Sequence, residues 1–354
     1  MASFSVPLLA AIFLAAAIVV WIAGIKLCDT TDVIAHRLGL GEALGGLLIL
    51  AIVTNLPEIA ITVSAGLQHN LGIAIGNILG GIAIQTAVLA MLDAFGLRAS
   101  ASLTYRAASL VLVLEGVLVI VVLALVILGS LLMPRTTARV EPVSLLIVVV
   151  WIGGLWLIGR AGKGLPWHDN GTPPDGQKEP KGHRRKQKAT AQPTTPAISS
   201  TTAIVSIFSV SALATLVGGV LLEQSGEALA GHLNMTGVIF GATVLAAATA
   251  LPELSTGLTS VKLKDYQLAV SDIFGGNAFL PVLFLVAGLL SGRAVLPQAQ
   301  GTDIYLTCLG ILLTSVYVVG MIFRPRRQVL NMGIDSVLVV VLYIVGIAGL
   351  LYVR

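Results

Sequence analysis

The sequence predicts an all-α polytopic membrane protein, with ten transmembrane helices arranged as two inverted-topology five-helix repeats. An apolar composition, ten long apolar segments and one duplicated motif lead to this prediction. Of the 354 residues, 56% are hydrophobic and 11% are charged, and the mean hydropathy is +0.96. A soluble protein of this length needs far more polar surface, and the sequence lacks the short alternating strands of a membrane β-barrel.

Ten segments are long enough to span the membrane, because a spanning helix needs about 20 apolar residues. They lie near 5–25, 39–67, 70–95, 107–133, 141–160, 203–223, 235–261, 266–290, 303–323 and 334–353. The first segment has no basic residue before Lys26, so we interpret it as a retained helix and not as a signal peptide. The chain then divides into a first half (1–160), a central loop (161–202) and a second half (203–354).

The distribution of basic residues predicts the orientation in the membrane. With the N-terminus outside, 17 of the 21 Lys and Arg residues fall on one face of the membrane. Basic residues favour the cytoplasmic side. We therefore expect a multi-pass protein of the cell membrane, with both termini outside and the central loop in the cytoplasm.

The central loop is rich in Pro, Gly, Lys and Thr and has almost no apolar residues, so we expect it to be disordered. Its basic cluster over residues 178–188 can contact anionic lipid headgroups. The alternative is that the loop is only a topogenic, solubilising linker. The net charge of +4 requires no nucleic-acid partner, because topology accounts for it.

One motif occurs twice, as TNLPEIA at residues 54–60 and as TALPELS at residues 249–255. Each copy places a glutamate directly after a proline inside an apolar segment. A shift of 195 residues superposes the two copies and also a Gly-Gly pair in the segment that follows each. A shared Leu-Pro-Glu with a shared Gly-Gly is not a chance match among apolar residues. We infer an internal repeat over about 39–95 and about 235–290.

The two repeat units are predicted to have opposite orientations. Five segments separate them, and an odd number means that the second copy enters the membrane from the other face. Many secondary transporters are built in this way, with sites near the midplane at the repeat interface. Glu58 and Glu253 are each predicted to lie roughly 12–14 Å deep, near the middle of the membrane.

Two carboxylates at this depth predict a cation site. An acidic side chain at the bilayer centre costs at least about 2.5–3.5 kcal/mol, so it should face a cavity or a partner. Two that converge repel each other unless a cation or a proton neutralises them. Each proline also frees backbone carbonyls of the preceding turn, and carbonyls with carboxylates suit a hard cation such as Ca²⁺. The freed carbonyls are expected near Val53, Thr54, Ala248 and Thr249.

The segment after each motif supplies the opposite wall, with GNILGG at 76–81 and SDIFGG at 271–276. Its glycines allow close helix contact. Asn77 and Asp272 occupy the matched position. Asp272 is a third ionisable group, either a cation ligand or a proton carrier.

Four further polar residues lie in predicted spans. Asn55, Gln85 and Asn277 line a cavity or form helix–helix hydrogen bonds, and the sequence leaves both open. Glu115, in LVLEGVL, has no counterpart in the repeat. We interpret it as a helix-packing or vestibule residue.

At this point the residues resemble those of the cation/Ca²⁺ exchanger superfamily, the sodium/calcium exchanger membrane-region family. Its members carry two inverted repeats with G-T-S-L-P-E and G-N-x-x-G-S-N signatures, ten helices and a cytosolic loop after the fifth. The resemblance covers essentially the whole membrane portion. It implies that Glu58 and Glu253 are the central Ca²⁺ ligands, with the carbonyls of Thr54 and Thr249 beside them.

The chain departs from the family pattern at positions that help to form flanking Na⁺ sites in the family. Serines and an acidic or amide residue of the pattern are replaced here, and one asparagine becomes aspartate. The departures are Asn55, Ala250, Gly81, Gly276, Gln85, Leu280 and Asp272. Losing Na⁺ ligands while gaining an acid favours a proton-coupled exchanger, or one with a shifted choice of cation.

The sequence therefore predicts a secondary active antiporter that exchanges Ca²⁺ for H⁺ or Na⁺ by alternating access at a mid-membrane two-glutamate site. A Na⁺/H⁺ antiporter on the same fold and a passive cation channel are the alternatives. We expect no enzyme, because no histidine lies inside a predicted span, and no cofactor beyond the transported cation. The expected partners are the lipid bilayer and small inorganic cations.

Overall fold

The computed structural model describes residues 1, 4–37, 52–96, 101–132, 141–161 and 201–353. The predicted disordered loop, with its 178–188 cluster, lies almost entirely outside the described residues.

The described part of the first half is helical. The helices are α1 (Val6–Arg37), α2 (Leu56–Leu67), α3 (Leu71–Met91), α4 (Leu103–Ala107), α5 (Leu110–Ser130) and α6 (Pro142–Ala161). A π-helical turn, Leu92–Gly96, continues α3.

The second half has shorter helices and one small hairpin. The helices are α7 (Thr201–His232), α8 (Gly237–Phe240), α9 (Ala246–Thr249), α10 (Leu251–Lys262), α11 (Tyr266–Phe279), α12 (Leu283–Ser291), α13 (Gly301–Phe323) and α14 (Ile334–Leu350). A π-helical turn (Gly241–Leu245) joins α8 to α9, and 3₁₀ turns cover Leu280–Val282 and Leu296–Gln298. Strands β1 (Gln328–Val329) and β2 (Met332–Gly333) pair antiparallel, with Gln328 opposite Gly333.

Seven described helices are long and apolar enough to cross a membrane, or eight if a pair bent by 41° counts as one span. The all-α, multi-pass class is therefore confirmed. The ten-span count stays a prediction, because the second predicted span is described only from residue 52 and α14 has 17 residues. The predicted sixth span was placed too short at 203–223, since α7 continues to His232.

The span that contains α3 is the centre of the bundle. In its most apolar window 94% of the residues are buried, against 28% for the span of α7. A membrane helix that is buried on all sides is surrounded by other helices, whereas one buried along a stripe faces lipid. On α7, Val210, Leu213 and Val217 are exposed. The peripheral helices α1 and α7 also pack against each other.

Both copies of the duplicated motif begin at a helix break. Asn55 (φ −90°, ψ 17°) and Ala250 (φ −80°, ψ −1°) lie between the α-helical and extended regions. The next helices, α2 and α10, each carry proline in the first turn. Proline fits there because its missing N–H would have no partner inside the helix. The motif therefore ends one helix and begins another at the same place in each half.

The peripheral helices reach these breaks through glycine. A Cβ atom on Gly24 of α1 would stand 2.8 Å from the Cβ of Pro252, and one on Gly219 of α7 would stand 3.0 Å from the carbonyl oxygen of Pro57. A side chain does not fit at these distances. The shift of 195 residues superposes Gly24 on Gly219 and Pro57 on Pro252. Each contact therefore joins the same two repeat positions, with the glycine in one half and the proline in the other.

A buried aspartate ties the end of the central span to the hairpin. Asp93 is fully buried and accepts hydrogen bonds from the Leu103 amide (2.8 Å), the Gly333 amide (2.7 Å) and the Ser336 hydroxyl (2.7 Å). Bonds to an ionised acceptor are stronger than neutral ones. Asp93 thus joins the π-helical turn after α3 to α4 and to the start of α14.

We expect Asp93→Asn to destabilise the protein by roughly 2–4 kcal/mol, because the amide group turns a donor toward buried N–H groups and leaves them unpaired. The measurement is thermal unfolding of the purified protein in detergent. Asp265→Asn is the matched control. Asp265 caps α11 by accepting from the Leu268 amide, and Asn caps a helix about as well as Asp. Equal melting temperatures for the two variants would contradict the role of Asp93.

Candidate cation site

The two motif glutamates meet at the helix breaks. Glu58 lies in the first turn of α2 and Glu253 in the first turn of α10. Glu58 is 0% exposed and Glu253 is 2% exposed, and their carboxylates interact electrostatically with each other. The helix starts bring them together, because the backbone turns sharply just before each one.

The four carboxylate oxygens have no hydrogen-bond partner among the described residues. Each side chain lies near its own backbone N–H, and Glu58 also lies near the Thr249 hydroxyl, but none of these approaches has hydrogen-bond geometry. A buried charged oxygen without a partner is strongly destabilising. These oxygens are therefore suited to bind a cation or a proton.

Asn77 of α3 faces the second break. Its Oδ1 accepts a hydrogen bond of 3.4 Å from the Thr249 hydroxyl, which also lies 3.3 Å from the Ala246 carbonyl. Asn77 is fully buried, and its Nδ2 has no hydrogen-bond partner in the described part of the chain. The structure thus brings Asn77, Thr249 and the Glu58 carboxylate together.

Asp272 of α11 lies on the other side of Glu253. It accepts a hydrogen bond of 3.2 Å from the Thr256 hydroxyl, one turn after Glu253 on α10. Its carboxylate also interacts electrostatically with Glu253. Asp272 adds negative charge to the same region, at the position where the first half has the neutral Asn77.

The donor set is made of oxygens and amides. Within the described ranges, no group of three or more His, Cys, Asp and Glu side chains is close enough to hold one metal ion. A hard cation here would need the two glutamates together with neutral oxygens, a pattern found for Ca²⁺ and Na⁺ and not for a thiolate- or imidazole-binding metal.

The two flanks of this region differ in polarity. On one flank, Asn55 is buried and its Nδ2 lies 3.4 Å from the Thr54 hydroxyl. The same Nδ2 would lie only 2.9 Å from a Cβ atom on Gly276. The absence of a side chain at Gly276 therefore makes room for the Asn55 amide.

On the other flank the matched residues pack as an apolar contact. A Cβ atom on Gly81 would lie 3.6 Å from a methyl group of Leu280. Leu280 is fully buried and Ala250 is 3% exposed. Gly81, Leu280 and Ala250 are thus apolar residues at positions where the family pattern has polar ones. Gly81 and Leu280 contact each other.

Of the amides that the sequence left open, Asn277 forms a helix–helix hydrogen bond. Its Nδ2 donates to the Thr86 hydroxyl at 3.0 Å and lies 3.4 Å from the Ile82 carbonyl. Gln85 is 1% exposed, and neither of its polar atoms has a hydrogen-bond partner among the described residues. Gln85 is therefore a buried amide able to take part in binding, whereas Asn277 joins α11 to α3.

Glu115 contacts the site only through a neighbour. Its Oε1 accepts a hydrogen bond of 3.0 Å from Ser271 of α11. Ser271 directly precedes Asp272 in the sequence. The contact joins α5 to α11, as expected of a helix-packing residue.

Glu223 is one of several buried acids that sequence reasoning did not single out. The predicted sixth span ended at residue 223, and no role was predicted for this glutamate. It instead lies inside α7 and is fully buried. The sequence offered one signal. Glu223 follows Gly219, the counterpart of Gly24, by four residues, so it lies on the same face of a helix one turn later.

Broken helices at a buried polar site are typical of secondary transporters. The chain matches the sodium/calcium exchanger protein family over residues 8–158 and 203–352. It belongs to this family and is accordingly a membrane antiporter of cations. The resemblance that the duplicated motif indicated is confirmed.

Curated relatives agree over most of their length. The chain is 27% identical over 293 residues to the candidate antiporter CaxA of Alkalimonas amylolytica, covering 80% of this chain and 82% of the relative. It is 23% identical over 283 residues to the inner membrane protein YrbG of Escherichia coli (strain K12), covering 78% of each.

Solved structures of the sodium–calcium exchanger NCX_Mj have the same fold. With the crystal soaked in 2.5 mM Na⁺ and 0.1 mM Sr²⁺, the TM-score is 0.60 at 18% identity, covering 97% of this chain and 99% of that chain. With 10 mM Na⁺ and 10 mM Sr²⁺, the TM-score is 0.61 at 17% identity over the same shares.

We expect Gly276→Ala to reduce cation exchange by roughly fivefold or more, the equivalent of about 1 kcal/mol, because the new methyl group displaces the Asn55 amide. The thermal stability should change little, because the displaced atom is the end of a movable side chain. Gly81→Ala is the matched control, since its methyl group meets Leu280 at an ordinary contact distance. Exchange rates and melting temperatures of both variants check this, and equal loss of exchange in both would contradict it.

Proposed function

We propose that the chain exchanges Ca²⁺ for protons at a mid-membrane site formed by Glu58 and Glu253. The observation that carries this proposal is the pair of buried carboxylates whose four oxygens have no hydrogen-bond partner in the described structure. Thr54, Thr249, Asn77 and Asp272 are proposed as further ligands, and all four are buried. Gln85 is another buried amide. Asn55 borders the site on its polar flank.

Repulsion between the glutamates supplies the coupling. Two nearby carboxylates cannot both stay ionised in a buried site unless positive charge is bound between them. Ca²⁺ satisfies both charges at once, and protons satisfy them one at a time. Because the two kinds of occupant compete for the same oxygens, the loaded site releases one only when the other arrives.

The apolar flank favours H⁺ over Na⁺ as the counter-ion. A Na⁺ ion needs several oxygen ligands, and the contact of Leu280 with Gly81 offers none on that side. A proton needs only an acceptor. Asp272, which interacts with Glu253, provides an additional one. Na⁺ as the counter-ion, and a Na⁺/H⁺ antiporter on the same fold, are the alternatives that the flux assay below separates.

Exchanged contacts support two inverted repeats and alternating access. The contact of Gly24 with Pro252 recurs as that of Gly219 with Pro57. The shift of 195 pairs Asn277 with Ile82, and the Nδ2 of Asn277 lies 3.4 Å from the carbonyl oxygen of Ile82. Residues that meet their counterparts lie near a two-fold axis. Such an axis in the membrane plane relates the halves of inverted-repeat transporters, with α1 and α7 sliding past a fixed site.

The orientation proposed for this exchanger places both termini outside and the 161–202 loop in the cytoplasm. The excess of basic residues on one face supports it. The surrounding lipid and the transported cations are its proposed partners, with anionic headgroups at the 178–188 cluster.

We expect Glu58→Gln and Glu253→Gln each to abolish exchange, because one carboxylate cannot neutralise a divalent cation. The measurement is ⁴⁵Ca²⁺ exchange in proteoliposomes. Glu227→Gln is the matched control, since Glu227 lies exposed on α7 and removing it also deletes one negative charge. Near-normal flux in either site variant would refute the site.

We expect a pH gradient to drive ⁴⁵Ca²⁺ uptake into proteoliposomes and an equal Na⁺ gradient to drive little. Asp272→Asn should flatten the pH dependence of exchange, because the amide cannot take up a proton. Uptake driven by Na⁺ alone would refute proton coupling. Uptake without any gradient of a counter-ion would identify a channel.

A further inference from the structure

Glu223 links a peripheral helix to the helix that carries Glu58. Its Oε2 accepts hydrogen bonds from the Ser64 hydroxyl at 2.8 Å and from the Gln68 Nε2 at 3.0 Å. The same Nε2 also donates to the Ser64 hydroxyl at 2.9 Å. Three side chains therefore form a closed triangle of hydrogen bonds between α7 and the end of α2.

The triangle lies one turn from a close contact between the same two helices. One turn before Glu223, Gly219 of α7 rests on Ala60 and Pro57 of α2. Small residues let two helix backbones approach closely, and none of these three residues has a polar side chain that fixes the position of α7 along α2. The polar triangle is different, because its bonds form only at one relative position of α7 and α2.

Packing alone does not explain a glutamate at this position. The side chain is fully buried, and its Oε1 has no hydrogen-bond partner in the described part of the chain. A buried carboxylate with an unsatisfied oxygen is destabilising unless the conformation it holds is needed. A leucine would fill the same space without this penalty.

The sequence repeats no such carboxylate on α1, the counterpart of α7. The shift of 195 residues places Cys28 of α1 opposite Glu223, and cysteine has no carboxylate. A two-fold arrangement exchanges the environments of α1 and α7 when the transporter changes its facing. Hydrogen bonds that α7 forms and α1 does not must therefore stabilise one facing state over the other.

We propose that Glu223, Ser64 and Gln68 form a latch that holds α7 against α2 in one of the two facing states, with Glu223 as a positioning residue for transport. The proposal deepens the alternating-access exchange proposed above and rests on it. Breaking the latch changes the ratio of the two states and leaves the glutamate site itself unchanged.

The first test measures half-saturating Ca²⁺ on each face of the membrane, in right-side-out and inside-out vesicles that contain the full-length chain. We expect Glu223→Ala to shift the two values in opposite directions, with their ratio changed by about 10- to 100-fold. Ser64→Ala should shift them in the same sense by about 3- to 10-fold, and Glu223→Gln should lie between wild type and Glu223→Ala. Glu227→Gln removes a charge that interacts with Glu223 but leaves the three hydrogen bonds of the triangle in place, so it should change the ratio far less than Glu223→Ala.

A second test needs no transport and so separates this proposal from the choice of ion. In a variant without Cys28 and Cys308, a Thr62→Cys probe on α2, one turn from Glu58, reports access from each face to a membrane-impermeant thiol reagent. We expect Glu223→Ala and Ser64→Ala to raise the labelling rate from one face and lower it from the other. If Glu223→Ala fails to fold, Ser64→Ala carries the test.

The outcome that overturns the latch is equally specific. A merely structural Glu223 would lower the maximal rate and the melting temperature while leaving both half-saturation values and the labelling ratio unchanged. Shifts of both faces in the same direction would also overturn it. If the wild-type protein moves no Ca²⁺ but Glu223→Ala and Ser64→Ala still shift the labelling rates, the proposed cargo is refuted and the latch is retained.

Discussion

Repulsion between two buried carboxylates is the constraint on which the rest of the structure depends. Glu58 and Glu253 are almost completely withdrawn from solvent and interact with each other. In a site of low dielectric constant, this arrangement persists only when something positive is bound. The helix breaks before α2 and α10 hold the pair in place, and α3 supplies the buried wall. The free energy of the fold is thus linked to the occupant of the site.

The halves match closely in their backbone contacts and differ in their polar groups. Gly24 contacts Pro252 as Gly219 contacts Pro57, and the proposed alternating access requires such matched helix surfaces in both halves. Ion chemistry has no such requirement. Asn77 is paired by the repeat with Asp272, and a polar flank at Asn55 faces an apolar one at Leu280. In the proposed mechanism, the matched packing serves the two conformations and the unmatched polar groups select the ions.

Features that depend on local sequence were predictable. Leu-Pro-Glu indicated a helix break with a carboxylate in the first turn, and both breaks lie directly before the motif. The duplication with its shift of 195 indicated which segments belong together. The resemblance to the exchanger family followed from the same residues, and the comparison with known families confirmed it.

Features that depend on contacts between distant segments were not predictable. Nothing near Asn277 in the sequence indicates that its amide reaches Thr86 of another helix. Leu280 and Gly81 become an apolar flank only because the 3₁₀ turn after α11 packs against α3. The sixth span was predicted to end at Glu223, although the helix continues to His232, since hydropathy falls at every charged residue whether or not the helix continues. Length and composition locate spans, but only packing shows which polar groups they bury.

Helix α2 gives the site and the proposed latch a common mechanical part. It begins beside Glu58 and ends before Gln68, a distance of about 15 Å along a helix axis. A short helix of this kind moves as a rigid body, so a shift at its start is transmitted to its end. In the proposed mechanism, cation binding between the glutamates draws α2 toward α10, while the proposed latch draws its other end toward α7. Occupancy of the proposed site and position of the peripheral helix would then act on the same element, and each would change the free energy of the other.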